Sequence, residues 1–310
     1  VFTLYNLWNT INYIFGNKIM KILLLGNTGQ VGWELNRTLL PLGDLIAMDY
    51  PQIDMSNPDQ IRSTVREHNP NLIINATAYT DVDKAESLRE LALTINGIGP
   101  GVLAEEALRT NAALIHYSTD YIFDGTVKEP YLEEDEPNPL SVYGETKLAG
   151  EKAIQAVDGT YLIFRTSWVY SLRRPSFVTK VLRWARQHEI LRVVDDQISS
   201  PTWARNLAEI TAQVIAQGRD EVKGYIAEKA GVYHLTDRGS CSRFDWAKRI
   251  LELDPDKETQ LVKSIHPAKT DEFPTPATRP LHSVLSIKKF QDTFNIPTAA
   301  WDEALALSMV

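Results

Sequence analysis

From Met20 onward, short apolar runs alternate with longer stretches of mixed polarity. The runs are β-branched or rich in leucine, and they occupy residues 22–25, 45–48, 72–74, 113–116 and 161–164. Each run is separated from the next by a segment long enough for a helix, and this order is typical of βαβ units around a parallel sheet. The sequence therefore predicts an α/β fold with a doubly wound, Rossmann-like parallel sheet.

The regular alternation ends near residue 166. Beyond it, helix-like stretches occur at residues 177–186, 203–215 and 244–253. Two candidate strands lie at 191–194 and 232–235, and a proline-rich stretch lies at 267–280. We therefore predict two units. Residues 20–170 form the sheet domain, and residues 171–310 form a smaller C-terminal domain that is partly interleaved with the sheet and covers a ligand.

Two of the predicted helices have capping signals at their starts. Ser56 stands before Asn57 and Pro58, where a cap and a first-turn proline belong. The tripeptide Ser-Pro-Thr at 200–202 stands in the same way before the stretch 203–215. We expect a helix to begin at each of these places.

The composition limits the possible partners. The chain has 310 residues, of which 44% are hydrophobic and 23% charged, so a sizeable core can form. Its formal net charge of -8 disfavours non-specific binding to nucleic acid or to anionic membranes. Cys241 is the only cysteine, which rules out an internal disulfide and a paired-cysteine metal site. We expect a protein of the reducing cytoplasm.

The segment 1–19 differs in character from the rest of the chain. It is rich in Trp, Tyr, Phe, Asn and Ile without a helical period, and its one positive charge, Lys18, lies at the wrong end for a signal peptide. We interpret it as an upstream or non-native extension and Met20 as the natural start, with a peripheral membrane anchor as the alternative. No apolar stretch is long enough to span a bilayer.

A glycine-rich segment follows the first predicted strand directly. Its sequence is GNTGQVG, with glycines at Gly26, Gly29 and Gly32, and a helical pattern begins within it. Such glycines permit a tight turn, let the backbone approach a pyrophosphate, and place the phosphates at the helix N-terminus. Glycine triplets also occur in plain turns, but the position after a strand favours a dinucleotide-binding site in residues 20–170.

Asp49 ends the second predicted strand. A carboxylate at this place accepts hydrogen bonds from the ribose hydroxyls of NAD and repels the 2′-phosphate of NADP. An ordinary turn aspartate is the alternative. If the functional interpretation holds, the protein can use NADH.

Tyr143 and Lys147 form a YxxxK pair, and their spacing puts both side chains on one helix face. Beside a nicotinamide ribose, the ammonium would lower the pKa of the phenol, which could then give a proton to a carbonyl oxygen as hydride reaches the carbon. A second pair, Tyr225 and Lys229, has the same spacing but lies outside the sheet-forming half. Position therefore favours the first pair.

Thr119 follows the strand 113–116, and ligands bind at strand C-termini in an open α/β sheet. Its hydroxyl could hydrogen-bond the substrate carbonyl beside Tyr143. The glycine loop, Thr119 and Tyr143 with Lys147 follow one another along the sheet-forming half, and together they predict a reductase.

Three other residues have competing interpretations. Trp168 could line the substrate pocket as an aromatic floor or belong to the core. His116, on an apolar strand, is expected to be a buried and hydrogen-bonded histidine rather than a ligand. Arg279 could contact a diphosphate, or it could be a solvated loop arginine.

With these motifs in hand, the chain resembles the extended short-chain dehydrogenase/reductase family from Met20 to its end. The resemblance rests on six runs: GNTGQVG at 26–32, NATAYTDVDKAE at 75–86, STDYIFDG at 118–125, VYGETKLAGE at 142–151, FRTSWVY at 164–170 and PTPATRP at 274–280. One departure is the number of helix breakers at 97–101, which predicts a displaced helix start.

The resemblance implies that NADPH or NADH reduces the 4-keto group of dTDP-4-dehydro-L-rhamnose, a nucleotide sugar, to dTDP-L-rhamnose. It implies Thr119, Tyr143 and Lys147 as the catalytic residues. The implied cofactor contacts are Gly26, Gly29, Gln30, Val31, Gly32, Asp49, Ala76, Ala78, Tyr143 and Lys147, and the implied substrate contacts are Thr80, Val82 and Trp168, to which Arg279 is added from its chemistry. A homodimer bridged by Mg²⁺ occurs in parts of the family and cannot be read from these residues.

Two other functions remain open. A nucleotide-sugar epimerase or 4,6-dehydratase shares the fold, but a dehydratase typically has Asp-Glu after the threonine, and here Tyr121 follows Asp120. A non-catalytic subunit, similar to the regulatory subunit of methionine adenosyltransferase, would have no reason to keep the Tyr143 and Lys147 pair. Both interpretations are weaker than the reductase.

Overall fold

The computed structural model describes residues 19–310. The expected extension lies outside the described residues, apart from Ile19. The strands are β1 (Lys21–Leu25), β2 (Asp44–Met48), β3 (Leu72–Asn75), β4 (Ala113–Thr119), β5 (Tyr161–Thr166), β6 (Val169–Tyr170), β7 (Ile190–Val194), β8 (Ile198–Ser199), β9 (Thr202–Trp203), β10 (Gly231–His234), β11 (Cys241–Ser242) and β12 (Ser264–Ala268). The helices are α1 (Gln30–Thr38), α2 (Pro58–His68), α3 (Val82–Ala85), α4 (Arg89–Leu93), α5 (Gly99–Arg109), α6 (Val142–Ala156), α7 (Phe177–Ala185), α8 (Ala204–Gln217), α9 (Val222–Glu228), α10 (Arg243–Leu253), α11 (Lys288–Phe294) and α12 (Trp301–Ser308). Within residues 19–310, none of these helices is long and apolar enough to cross a membrane.

Six parallel strands form the central sheet in the order β10-β5-β4-β3-β1-β2. β1 pairs with both β2 and β3, so the chain winds first to one side of β1 and then to the other. This confirms the doubly wound sheet that the alternating pattern predicts. The strand order reverses between β1 and β3, which is where such sheets bind ligands.

The sheet is covered on both faces because its strands are apolar on both sides. In β1, Ile22 and Leu24 enter a core cluster that includes residues of α1 and α8, whereas Leu23 and Leu25 enter a second cluster with residues of α2, α5 and α6. All four side chains are fully buried, and each contributes about 1.5–3 kcal/mol of transfer free energy.

The later half of the chain adds to the sheet and also builds a separate core. β10 forms the sheet edge beside β5. A third cluster, centred on the buried Trp246, joins α7, α10 and α12. A boundary at residue 170 stays a prediction.

A helix begins close to both capping signals, as predicted, but only the first signal caps its helix. Asn57 caps α2, since its side chain accepts a hydrogen bond from the backbone N–H of Gln60. The segment after Ser200 does not cap a helix, because Thr202 pairs with Val169 as β9 and its hydroxyl turns back to the carbonyl of Ser200. α8 begins at Ala204, one residue after the predicted start, and it has no side-chain cap.

The predicted displacement of a helix start by the breakers at 97–101 is wrong. A continuous helical segment runs through α4, a π-helical turn at Thr94–Ile98 and α5. Gly97 and Gly101 permit close helix packing, since a Cβ on Gly101 would stand 3.0 Å from the Cβ of Ala153 on α6. A Cβ on Gly150 of α6 would stand 2.1 Å from the carbonyl oxygen of Asn96, so α6 touches the π turn directly.

Candidate active site

A cleft of about 980 Å³ opens at the C-terminal ends of the central strands. The segments that follow β1, β2, β3, β4 and β5 all reach it. It brings together nearly all the predicted site residues: Gly26, Gly29, Gln30, Val31, Asp49, Ala76, Ala78, Thr80, Val82, Thr119, Tyr143, Lys147, Trp168 and Arg279. Gly32 does not line the cleft, because it lies beneath the turn.

The glycine loop is built for close backbone contact. Gly26 has a φ of +89°, a conformation that side-chain-bearing residues rarely adopt, and a Cβ on it would lie 2.9 Å from the backbone of Ala76. A Cβ on Gly32 would lie 1.9 Å from the Gly26 carbonyl oxygen. Gly29 caps α1 without a side-chain hydrogen bond, so the first N–H groups of the helix are available to an anion.

Asp49 stands at the end of β2, beside this loop. Its Oδ2 accepts hydrogen bonds from the backbone N–H of Thr28 at 3.1 Å and from the Thr28 hydroxyl at 2.6 Å. Its Oδ1 accepts one from the N–H of Tyr50 at 2.8 Å. The carboxylate is therefore held at the rim of the cleft by its own neighbours.

Lys147 is buried at the base of the cleft. Its Nζ donates to the backbone carbonyl of Tyr117 at 2.6 Å and lies 3.1 Å from Nε2 of His116. Burial lowers the pKa of Lys147 to about 8, although the nearby carboxylate of Glu151 acts in the opposite direction.

His116 is buried and hydrogen-bonded, as the sequence predicts, but it is also a neighbour of Lys147. Nδ1 lies 3.0 Å from Nδ2 of Asn75. Oδ1 of Asn75 accepts from the backbone N–H of Thr77 at 3.1 Å and from the Thr77 hydroxyl at 2.5 Å. A polar chain thus joins β3 and β4 to the lysine. Sequence reasoning missed this chain because it considered His116 alone.

Thr119 and Tyr143 face the same part of the cleft. Burial raises the pKa of the Tyr143 phenol, and a hydrogen bond with the Thr119 hydroxyl partly offsets this effect. The Thr119 hydroxyl also accepts from the N–H of Tyr121 and donates to Asp120, both at 3.2 Å. The tyrosine is therefore kept as a neutral phenol, which can donate a proton.

Asp120 is a buried carboxyl group that sequence reasoning did not single out. Its Oδ2 accepts from the hydroxyls of Ser283 at 2.5 Å and Ser199 at 3.2 Å. Burial raises the pKa of Asp120 to about 6, against the effect of these hydroxyls. The contacts tie the loop after β4 to the C-terminal part of the chain.

Trp168 is half-buried, lines the cleft and packs against the third core cluster, so each of its sequence-based interpretations describes part of its surroundings. It has a φ of 42°, a strained value for a bulky residue. Its ring stacks on Trp246 with centroids 5.5 Å apart. The guanidinium carbon of Arg243 lies 3.6 Å over the ring, and no salt bridge of Arg243 occurs within the described residues. Arg243 carried no sequence signal, because only the fold brings it here.

Arg279 reaches the cleft but already has an anionic partner. Its two terminal nitrogens bind the carboxylate of Asp83 at 3.1 and 2.8 Å. A diphosphate contact by Arg279 stays a prediction.

The other YxxxK pair is remote from the cleft lining, with the Lys229 ammonium 4.3 Å over the ring of Tyr225.

Among residues 19–310, no group of three or more His, Cys, Asp or Glu side chains is placed to hold a metal ion. A Mg²⁺ site, which occurs in parts of the family, therefore gains no support from the side chains that the structure describes.

Comparison with known proteins gives a consistent result. The profile of the family described as RmlD substrate binding domain matches residues 20–309. The dTDP-4-dehydrorhamnose reductase of Escherichia coli (strain K12) is 44% identical over 287 residues, which cover 91% of this chain and 94% of that protein. A solved dTDP-4-dehydrorhamnose reductase from Clostridium acetobutylicum matches with a TM-score of 0.85 at 37% identity, covering 94% of this chain and 98% of that one. Another, from Bacillus anthracis in complex with NADP, matches with a TM-score of 0.83 at 33% identity, covering 93% and 98%.

Proposed function

The chain belongs to the RmlD substrate binding domain family and is an NAD(P)H-dependent oxidoreductase, and we propose that it reduces the 4-keto group of dTDP-4-dehydro-L-rhamnose to dTDP-L-rhamnose. One observation carries the proposal: Thr119, Tyr143 and Lys147 line the same cleft as the glycine loop. A site of this kind needs a proton donor next to a dinucleotide-binding loop, and Tyr143 and the glycine loop are the candidates for these two roles.

Each residue of the proposed site has a separate chemical role. When bound, the reduced nicotinamide supplies the hydride. The Thr119 hydroxyl orients the keto oxygen, and Tyr143 gives that oxygen its phenolic proton. Lys147, when charged, favours the phenolate that remains, because an ammonium nearby stabilises an anion. Burial keeps Tyr143 protonated until that step.

The glycine loop and α1 fit the pyrophosphate of a dinucleotide. A side chain on Gly26 or Gly32 would collide with backbone atoms, and the uncapped N–H groups at the start of α1 point to an anion. Ala76 and Ala78, after β3, line the same cleft. We propose that these residues hold NADPH or NADH.

The substrate end of the cleft is aromatic and cationic. We propose that Trp168 packs against the sugar or base and that Arg243 and Arg279 face the diphosphate, with Thr80 and Val82 at the cleft wall. Guanidinium groups pair well with phosphate oxygens. We also propose a cytoplasmic enzyme; a homodimer stays a prediction that the oligomeric mass in solution would test.

The decisive test is oxidation of NADPH or NADH by the purified protein in the presence of dTDP-4-dehydro-L-rhamnose, with the product identified by mass. Tyr143→Phe should reduce kcat by about 10²–10⁴-fold. Tyr225→Phe is the matched control, since it removes the same hydroxyl from the other YxxxK pair, and it should keep full activity. Tight dinucleotide binding without turnover by the intact protein would instead favour the non-catalytic interpretation.

A further inference from the structure

The segment after β6 crosses the mouth of the cofactor cleft and carries two arginines. Nε of Arg174 donates to the backbone carbonyl of Thr28 at 2.8 Å, so this segment is tied to the middle of the glycine loop. Arg173 and Arg174 also line a smaller cavity of about 440 Å³ beside α1. The glycine-loop prediction did not include either arginine, because they lie far away in the sequence.

The two arginines have different surroundings. The guanidinium carbon of Arg173 lies 3.5 Å over the ring of Trp33, and its Nε is 4.0 Å from the carboxylate of Glu34. Within the described residues, Arg174 has no salt bridge, and its only side-chain hydrogen bond uses Nε. The two terminal nitrogens of Arg174 therefore remain able to bind an anion, and Arg174 lines the large cleft as well.

Thr28 connects Arg174 to the expected ribose position. Its carbonyl accepts from Arg174, whereas its N–H and hydroxyl donate to Asp49. A carboxylate at the end of β2 binds the adenosine ribose of a dinucleotide, and a nearby arginine accommodates a 2′-phosphate. Asp49 already accepts three hydrogen bonds from the protein, which reduces the charge it presents to a phosphate.

We propose that Arg174 binds the 2′-phosphate of NADPH, and that this contact allows the enzyme to use NADPH although Asp49 stands at the ribose. The inference rests on the proposed function, because it assumes that the glycine loop holds a nicotinamide dinucleotide. The proposal adds a residue that determines cofactor specificity, and this residue follows β6 in the sequence.

The test compares Arg174→Gln with Arg183→Gln, an exposed arginine on α7 that does not line the cleft and gives the same change of net charge. KM is measured for NADPH and for NADH with the same keto sugar. Arg174→Gln should raise the KM for NADPH roughly tenfold or more relative to the KM for NADH, since one charge-assisted phosphate contact is lost, whereas loss of the Nε contact with Thr28 affects both dinucleotides alike. Arg174→Lys should restore part of the preference for NADPH over NADH, and Arg183→Gln should change neither KM.

Binding of adenosine fragments separates this proposal from the proposed function, because it needs no sugar and no turnover. The intact protein should bind 2′,5′-ADP more tightly than 5′-AMP, which lacks only the 2′-phosphate, and Arg174→Gln should abolish that difference. An equal loss for NADPH and NADH would assign Arg174 to the diphosphate and overturn the inference. Equal affinity of the intact protein for the two fragments would overturn it as well, whereas absent turnover with selective 2′,5′-ADP binding would contradict only the proposed reaction.

Discussion

Nζ of Lys147 lies 3.1 Å from Nε2 of His116, and both side chains are buried. Asn75 fixes which ring nitrogen carries the proton. Because Oδ1 of Asn75 accepts the backbone N–H of Thr77, its Nδ2 faces Nδ1 of His116 and donates to it. The neutral imidazole then carries its hydrogen on Nε2, and this N–H points at the lysine.

The first prediction concerns pH. Because burial lowers the pKa of Lys147 to about 8, the ammonium is present below that pH and is lost as the pH rises through it. We expect kcat/KM for the dinucleotide, which reports the free enzyme, to be level below about pH 8 and to fall above it. The raised pKa of Tyr143 places loss of its proton at higher pH. A profile that stays level well beyond pH 9 would show that the charge of Lys147 does not limit the reaction.

The second prediction concerns His116. Removing an N–H that faces an ammonium should stabilise the charged lysine, so His116→Met should move the alkaline break to higher pH. A merely structural role would lower kcat without moving the break. His188→Met, at an exposed position, is the control and should leave the profile unchanged.

These contacts show how far the sequence predicts the site. The alternation of apolar residues predicts the strands because burial on both faces imposes it locally, and the glycine loop is predicted because its backbone demands are local too. The contact of His116 with Lys147 joins a strand to a helix 31 positions later, and Arg243 meets Trp168 across 75 positions (243 − 168). Such partners depend on tertiary packing, which no local pattern encodes. The wrong capping prediction at 200–202 has the same cause, since pairing with β6 extends that segment.

The third prediction tests the glycine loop. Gly32→Ala would place a Cβ 1.9 Å from the carbonyl oxygen of Gly26, so the turn must shift away from the pyrophosphate position. We expect the Kd for NADPH, measured by fluorescence titration, to rise roughly tenfold or more, which corresponds to about 1.4 kcal/mol. Gly159→Ala is the matched control, because the nearest atoms lie 3.9 Å from its Cβ. Equal effects of the two substitutions would contradict a steric role for Gly32.

The fourth prediction concerns a buried ion pair beneath the active site. Glu151 lies one turn after Lys147 on α6, and its Oε2 accepts from Nη2 of Arg165 on β5 at 2.8 Å. Both side chains are almost fully buried, at 1% and 5% exposure. Breaking a buried pair leaves one charge without a partner, whereas replacing both members by apolar residues removes the cost of burying them.

Glu151→Gln should therefore lower the free energy of unfolding by about 3–5 kcal/mol, and the double substitution Glu151→Leu with Arg165→Met should recover most of that loss. The comparison is made by denaturant unfolding of the three proteins. Glu209→Gln, which breaks the exposed pair with Arg205, is the control and should cost less than about 1 kcal/mol. If the double variant were as unstable as the single one, the pair would stabilise the fold outright rather than merely neutralise two buried charges.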